Sequence, residues 1–223
     1  MPRIIAFTGK KGVGKSYLAQ LTDQIFYKEK WEIPNFQPKS SEVLIEQYAF
    51  ADPIKTFLHE ALGINKEHLY GNDKDKNSPT EYEWSKMPQW IRKEFGSPQG
   101  KITCREAMQI FGTQLMREIW GQDVWVKSML RRIAKTDATW ILVTDCRYQD
   151  EIDAIKNIGG KVWKIEGPQR GDDFAKIDNH SSEKVMDFTT NFDYVIENEL
   201  SDNSDSLKAK IREALIAGFE LRF

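Results

Sequence analysis

The residues best suited to chemistry lie near the amino terminus, in Gly9-Lys-Lys-Gly-Val-Gly14-Lys15-Ser16, which matches G-x-x-x-x-G-K-[ST] at every fixed position. Glycines let such a loop curl so that successive backbone N–H groups point at one anion. A helix starting there adds its positive amino-terminal end. The pattern implies a nucleoside triphosphate, with Lys15 reaching the β/γ-phosphates and the Ser16 hydroxyl ligating Mg²⁺. Lys11, Gly12, Val13, Gly14, Lys15, Ser16 and Tyr17 form the expected ATP-binding segment.

Two further groups complement this loop. Thr139-Trp-Ile-Leu-Val-Thr-Asp145 is an apolar run ending in a carboxylate, and an Asp at that strand end can hold Mg²⁺ directly or through a bound water. A guanidinium at Arg147, two residues on, could bridge donor and acceptor phosphates and neutralise charge in a transfer transition state; a surface arginine at a helix start has the same pattern. Arg105, Gln109, Thr113 and Arg117 recur every four residues, a stripe offset from the apolar positions Met108, Phe111, Leu115 and Ile119. Two guanidinium groups and an amide on one surface suit a phosphate and a base edge; a solvated helix face has the same pattern.

These residues need elements to hold them. Arg3–Thr8, Val43–Phe50, Thr139–Thr144, Lys161–Glu166 and Tyr194–Ile196 read as strands. Helices are expected over Gly14–Lys30, from Asp52-Pro53 with Asp52 as cap, over 103–119 with Thr103 as cap, over 123–134, over Glu151–Ile158 and over Leu207–Phe219. The 103–119 helix should bury Met108, Phe111, Leu115 and Ile119. Alternating strands and helices predict an α/β fold, a five-stranded parallel sheet flanked by helices in three layers, with ligands at the carboxyl ends of the strands. The stretch 63–101 is polar but carries Tyr70, Tyr82, Trp84, Trp90 and Phe95; it reads as an insertion on the acceptor side of one domain spanning 1–223, with 167–180 as a lid.

The chain has 223 residues, a formal net charge of -2 and 40% hydrophobic residues, which fits a globular domain with a real core and gives no bulk attraction to nucleic acid or anionic membrane. Cys104 and Cys146 lie far apart without metal-ligand spacing. No leader or membrane span is expected, and a cytoplasmic location follows, the host cytoplasm if a phage encodes the chain.

Taken together, the blocks resemble the phage-type deoxynucleoside monophosphate kinases within the P-loop superfamily. The matching pieces are the glycine loop, Tyr48-Ala-Phe-Ala-Asp52-Pro-Ile-Lys55, Arg105-Glu-Ala-Met-Gln-Ile-Phe-Gly-Thr113 continuing to Asp123-Val-Trp125, Thr144-Asp-Cys-Arg147-Tyr-Gln-Asp-Glu151, Ile158-Gly-Gly160 and His180-Ser-Ser-Glu183. The resemblance implies ATP + dNMP → ADP + dNDP with Mg²⁺. It places Lys15 and Ser16 on ATP and Mg²⁺, and Arg105 and Arg147 on acceptor and donor phosphates. It also implies Asp52 and Lys55 near the acceptor, Trp125 in its wall, His180 and Glu183 in a structural or nucleotide-contacting role, and Arg170 in a lid. Gln109 and Arg117 join the expected acceptor set, and Lys15, Arg147, Arg105 and Asp145 the expected catalytic set. The expected partners are ATP and dNMP alone, with homodimerisation left open. Two other readings remain: a kinase of another small metabolite, such as a phosphomevalonate-kinase-like enzyme, and a P-loop switch that hydrolyses nucleotide slowly.

Overall fold

The computed structural model describes residues 1–28, 44–168, 190–219 and 221. The chain divides into two compact units, one formed by 1–50 with 129–223 and the other by 51–128.

The first unit is built on strands β1 (Arg3–Thr8), β2 (Ile45–Tyr48), β5 (Trp140–Val143), β6 (Lys161–Glu166) and β7 (Tyr194–Glu197). They form one parallel sheet in the order β2-β5-β1-β6-β7. Because every neighbour is parallel, all carboxyl ends reach the same edge. Side chains alternate between faces, so Ile5, Phe7, Leu142, Trp163, Ile165 and Ile196 share one core with Leu18, Leu21 and Ile25 of α1 (Lys15–Lys28). Phe26 stacks on Trp140 with ring centroids 4.4 Å apart, and Phe7 meets Trp163 edge-on at 5.8 Å. Each such fully buried apolar side chain stabilises the fold by about 1.5–3 kcal/mol. Helices α9 (Gln149–Asn157) and α10 (Ser204–Phe219) complete the unit; α9 contacts β1 and β6, and Leu207, Ile211 and Leu215 of α10 join the core. The expected five-stranded parallel sheet is thus the observed one. The lid segment falls largely outside the described residues.

The second unit contains α2 (Asp52–Leu62), α3 (Lys66–Tyr70), α4 (Asp73–Lys76), the antiparallel pair β3 (Pro79–Glu83) and β4 (Lys101–Thr103), α5 (Gln89–Glu94), α6 (Cys104–Gln109) and α7 (Glu118–Trp120). Helix α8 (Val124–Ile133) crosses the second boundary between units in the chain. The aromatic stretch 63–101 is therefore a set of short elements that share cores with the flanking chain: Trp84 packs with Ile91, Ile102 and Ile110, and Leu69 with Leu58, Ile64 and Cys104.

Local rules explain most boundaries and two departures. Thr103 caps α6 as expected, accepting from Glu106 N while the Glu106 carboxylate accepts from Thr103 N. The cap of α2 is Ala51 rather than Asp52, without a side-chain hydrogen bond; Asp52 is instead the first helical residue, where its charge meets the helix dipole. The expected single helix 103–119 changes type: Ile110–Arg117 is π-helical between α6 and α7. A wider turn shifts which residues share a face. Ile110, Gly112, Gln114 and Arg117 are buried, whereas Ile119, expected in the core, is 62% exposed.

The turn from β7 into α10 is held by Asp202, which accepts from Glu199 N, Lys210 Nζ and Ser206 Oγ, each at 2.8 Å. Lys210, with Ser206 and the backbone donor, lowers the Asp202 carboxyl from its ordinary 3.8 to about 2. A carboxyl lowered on folding contributes stability above its unfolded pKa, and that contribution disappears as pH falls through the folded value. Asp202→Asn is therefore expected to lower the Tm at pH 7, with the gap from wild type closing between about pH 4 and pH 2; thermal melts across that range check it.

Candidate active site

The glycine loop leaves the carboxyl end of β1, the middle strand of the sheet, and runs directly into α1. Leu18 N donates to Gly14 O at 2.9 Å, so Gly14 is the cap and Lys15 begins the helix. Gly9 has φ +138°, and a Cβ there would fall on the Ile165 carbonyl oxygen, so only glycine can leave β1 this close to β6. Lys15 is buried, and its Nζ donates to Gly9 O at 2.6 Å and Lys10 O at 2.7 Å. The ammonium thereby ties the helix start to the beginning of the loop. Val13 is buried beneath the turn, Lys11 and Gly12 are half-buried, and Ser16 and Tyr17 are exposed on the first turn of α1.

Asp145 leaves the neighbouring strand β5 at the same edge. The register pairs Ala6 with Val143, so Asp145, two residues beyond β5, and the loop, which begins just after Thr8, emerge side by side in the sheet. One Asp145 oxygen accepts from Phe50 N at 2.6 Å, and Thr144 N donates to Tyr48 O at 2.9 Å, stitching the end of β2 to the end of β5. Asp145 therefore has a structural task besides the metal-binding one expected of it.

Arg147 lies in the turn before α9. Glu151, 2% exposed, places one carboxylate oxygen between the backbone donors of Arg147 (2.8 Å) and Tyr148 (3.2 Å). A buried carboxylate at a helix amino terminus satisfies donors that have no intrahelical partner and interacts well with the dipole. The backbone carrying Arg147 is thus anchored by α9. Between Asp145 and Arg147, burial and the negative charge of Glu151 push the wholly buried Cys146 thiol well up, so it stays neutral and is no nucleophile.

Within the second unit, Arg105 Nη2 donates to Asp73 Oδ1 at 2.6 Å and its Nε to Asn77 Oδ1 at 2.9 Å. Lys55 Nζ sits 4.2 Å from the centre of the Tyr70 ring, a cation–π contact. Asp52 and Lys55 share α2, with both half-buried. Trp125 is buried, its indole N–H donating to Gly112 O at 2.9 Å and its ring 6.3 Å from Phe111. The four-residue polar stripe is not one uniform face: Arg105, Gln109 and Thr113 are half-buried, but Arg117 is buried and donates to Gln122 O at 3.2 Å. The π-helical turn is the reason, since four-residue spacing follows one face only where the helix is α. Arg170, His180 and Glu183 lie outside the described residues.

A model of the deoxynucleotide monophosphate kinase family matches residues 64–211. The chain belongs to that family. The kinase is also 26% identical over 210 residues to a protein of Acanthamoeba polyphaga mimivirus provisionally named a deoxynucleotide monophosphate kinase, covering 87% of this chain and 88% of that one. Among solved structures it is similar to shikimate kinases from Bacteroides thetaiotaomicron (13% identity, 96% and 98% of the two chains, TM-score 0.43) and Aquifex aeolicus (14%, 95% of each chain, TM-score 0.42).

Sequence reasoning did not single out Glu151 or the Asp73/Asn77 pair. Glu151 had a local signal, an acidic residue in the first turn of a helix just past Arg147. Asp73 and Asn77 had none, being 32 and 28 residues from Arg105.

Glu151→Ala removes the carboxylate that accepts from two part-buried N–H donors in the kinase and is expected to cost about 1–2 kcal/mol of unfolding free energy. Glu151→Gln keeps an acceptor oxygen and should cost less than half as much. Urea denaturation of the three proteins checks the order.

Proposed function

We propose that this kinase transfers the γ-phosphoryl group of ATP to a deoxynucleoside monophosphate, yielding ADP and a deoxynucleoside diphosphate. The observation that carries the reading is the glycine-built loop with Lys15, at the same sheet edge as Asp145, in a chain of this family. Backbone amides of the loop and the first turn of α1 hold the donor phosphates, and Lys15 follows the β/γ oxygens. To do so its ammonium exchanges the loop carbonyls for phosphate oxygens, a more favourable charge-assisted pairing.

The donor set fits Mg²⁺. Among the described residues no three His, Cys, Asp or Glu side chains gather as a metal site. Mg²⁺ carried on phosphate oxygens requires only one or two protein oxygens, which the Ser16 hydroxyl and the Asp145 carboxylate supply. Bound there, it neutralises charge on the phosphate oxygens during transfer.

Arg147, on a backbone anchored by Glu151, stabilises charge on the migrating group. Arg105 holds the acceptor phosphate; Asp73 and Asn77 keep its planar fork oriented, and Asp73 competes with the incoming anion for the same N–H donors. Asp52, Lys55, Gln109, Arg117 and Trp125 form the remainder of the acceptor set. Trp125 and Arg117 serve it from buried positions, by fixing the shape of the π-helical segment. An acceptor phosphate already carries nucleophilic oxygens at neutral pH, so the mechanism needs no general base. Catalysis consists of in-line positioning and electrostatic stabilisation.

The test is ADP release from ATP-Mg²⁺ across all common NMPs and dNMPs, with phosphomevalonate alongside. Release that depends on dNMP is expected. Nucleotide turnover indifferent to any monophosphate would point to a switch, and turnover with phosphomevalonate alone to another metabolite kinase. Lys15→Ala and Arg147→Ala should each reduce kcat by roughly 10²- to 10⁴-fold; wild-type rates in the folded variants would remove these residues from the mechanism.

A further inference from the structure

The first residue after β7, Asn198, is 1% exposed and lies against the loop from the core side. Its backbone N–H donates to Glu166 O at 2.7 Å, continuing the β6–β7 pairing one residue past β7 and pinning the Asn198 backbone. Its side-chain Nδ2 donates to Val13 O at 2.8 Å. Glycines surround it: a Cβ on Gly14 would meet Nδ2 at 2.5 Å, and a Cβ on Gly167 would fall on the Asn198 carbonyl oxygen. The chain thus gives up one side chain to admit the Asn198 amide and another to admit its backbone.

The contact has a consequence for the opposite face of the same peptide. The Val13–Gly14 bond is planar and trans, as the described chain has no cis peptide, so the Val13 C=O and the Gly14 N–H point in opposite directions. A donor that fixes the carbonyl toward the core therefore aims the Gly14 N–H away from it. We propose that Asn198 is a positioning residue for the donor phosphates, holding the Val13–Gly14 peptide in the orientation that presents the Gly14 N–H to them. Polarisation adds to this, since a peptide whose carbonyl accepts a hydrogen bond is a stronger donor at its N–H. The role rests on the loop being the phosphate cradle of the proposed reaction. It explains why Gly14, which already needs glycine for its φ of +95°, also admits no side chain on steric grounds.

Inorganic tripolyphosphate with Mg²⁺ is the probe, because it has phosphates but no base or sugar. Calorimetry is done on wild type, Asn198→Ala and Asn198→Asp, at a temperature where each variant has the wild-type circular dichroism spectrum. Asn198→Asp keeps the volume but loses the donor when ionised. Both variants are expected to bind tripolyphosphate and ATP about tenfold or more weakly, with KM for the dNMP unchanged. A purely structural asparagine would lower the Tm and leave the affinity of the folded protein intact, so a variant binding within twofold of wild type overturns the proposal. The wild-type protein supplies a second readout that needs no variant: the Gly14 amide proton resonance is expected to move downfield on adding tripolyphosphate, and an unmoved resonance overturns the proposal. A wild type that binds neither tripolyphosphate nor ATP overturns the cradle reading itself, and is recognisably different from a wild type that binds and variants that match it.

Discussion

Several backbone N–H groups pointing into one hollow repel each other and expose carbonyls on the far side, so an isolated chain does not hold that shape. In the proposed function the loop from Gly9 to Ser16 takes that shape, and surrounding structure must hold it there. Two kinds of contact do so. The Lys15 ammonium collects the carbonyls of Gly9 and Lys10, and the Asn198 amide collects that of Val13 from below. Carbonyl oxygens that a converging loop would otherwise leave unsatisfied are thus paired, which is the condition for a buried backbone. Glycine at positions 9 and 14 removes the side chains that would block the approach of β6 and of Asn198.

The parallel sheet is what makes these contacts possible. Since all five strands point the same way, the ends of β1, β5, β6 and β7 release the loop, Asp145, Gly167 and Asn198 at one edge. Residues separated by as many as 185 positions in the chain meet there. Asp145 illustrates the economy of such an edge. Its carboxylate accepts the Phe50 N–H and so joins β2 to β5, while remaining the acidic group beside the loop. An Asp at a strand end is thus both a clamp for the sheet and a source of negative charge.

In the second unit, cations are pre-organised by weak partners. Arg105 is shared by Asp73 and Asn77, and Lys55 lies over Tyr70. Partly exposed ion pairs contribute little to stability, typically up to ~1 kcal/mol, so these contacts orient the side chains at small cost, and in the proposed reaction they would yield to the acceptor phosphate. Helix α4 has its own capping box through Asn72 and Asp75, a local restraint on the backbone that carries Asp73.

How much of this was legible in the chain differs by residue. Hydrophobic runs and glycine punctuation determined the five strands and the helices that flank the sheet, because continuous apolar runs and period-3.6 burial are written in neighbouring residues, whereas the short helices of 63–101 were not foreseen. The glycine loop was equally plain, since Gly9 and Gly14 are required by local backbone geometry and Lys15 and Ser16 follow them at fixed spacing. The capping box at Thr103 was readable for the same reason, whereas Ala51 as the cap of α2 was not, since it makes no side-chain bond that a pattern could announce. The π-helical turn at Ile110–Arg117 defeated the four-residue stripe: whether a helix widens depends on what packs against it, here Ile54 against Gly112 and the Trp125 indole on the Gly112 carbonyl. Asn198 and Asp73 were invisible for a related reason. A lone asparagine or aspartate has no periodicity, and its partner is chosen only when the strands and helices have been brought together. Local sequence decided where the chain curls into a glycine-built loop; tertiary packing decided which side chains hold that backbone still, because hydrogen bonds across long separations form only once the intervening chain has folded.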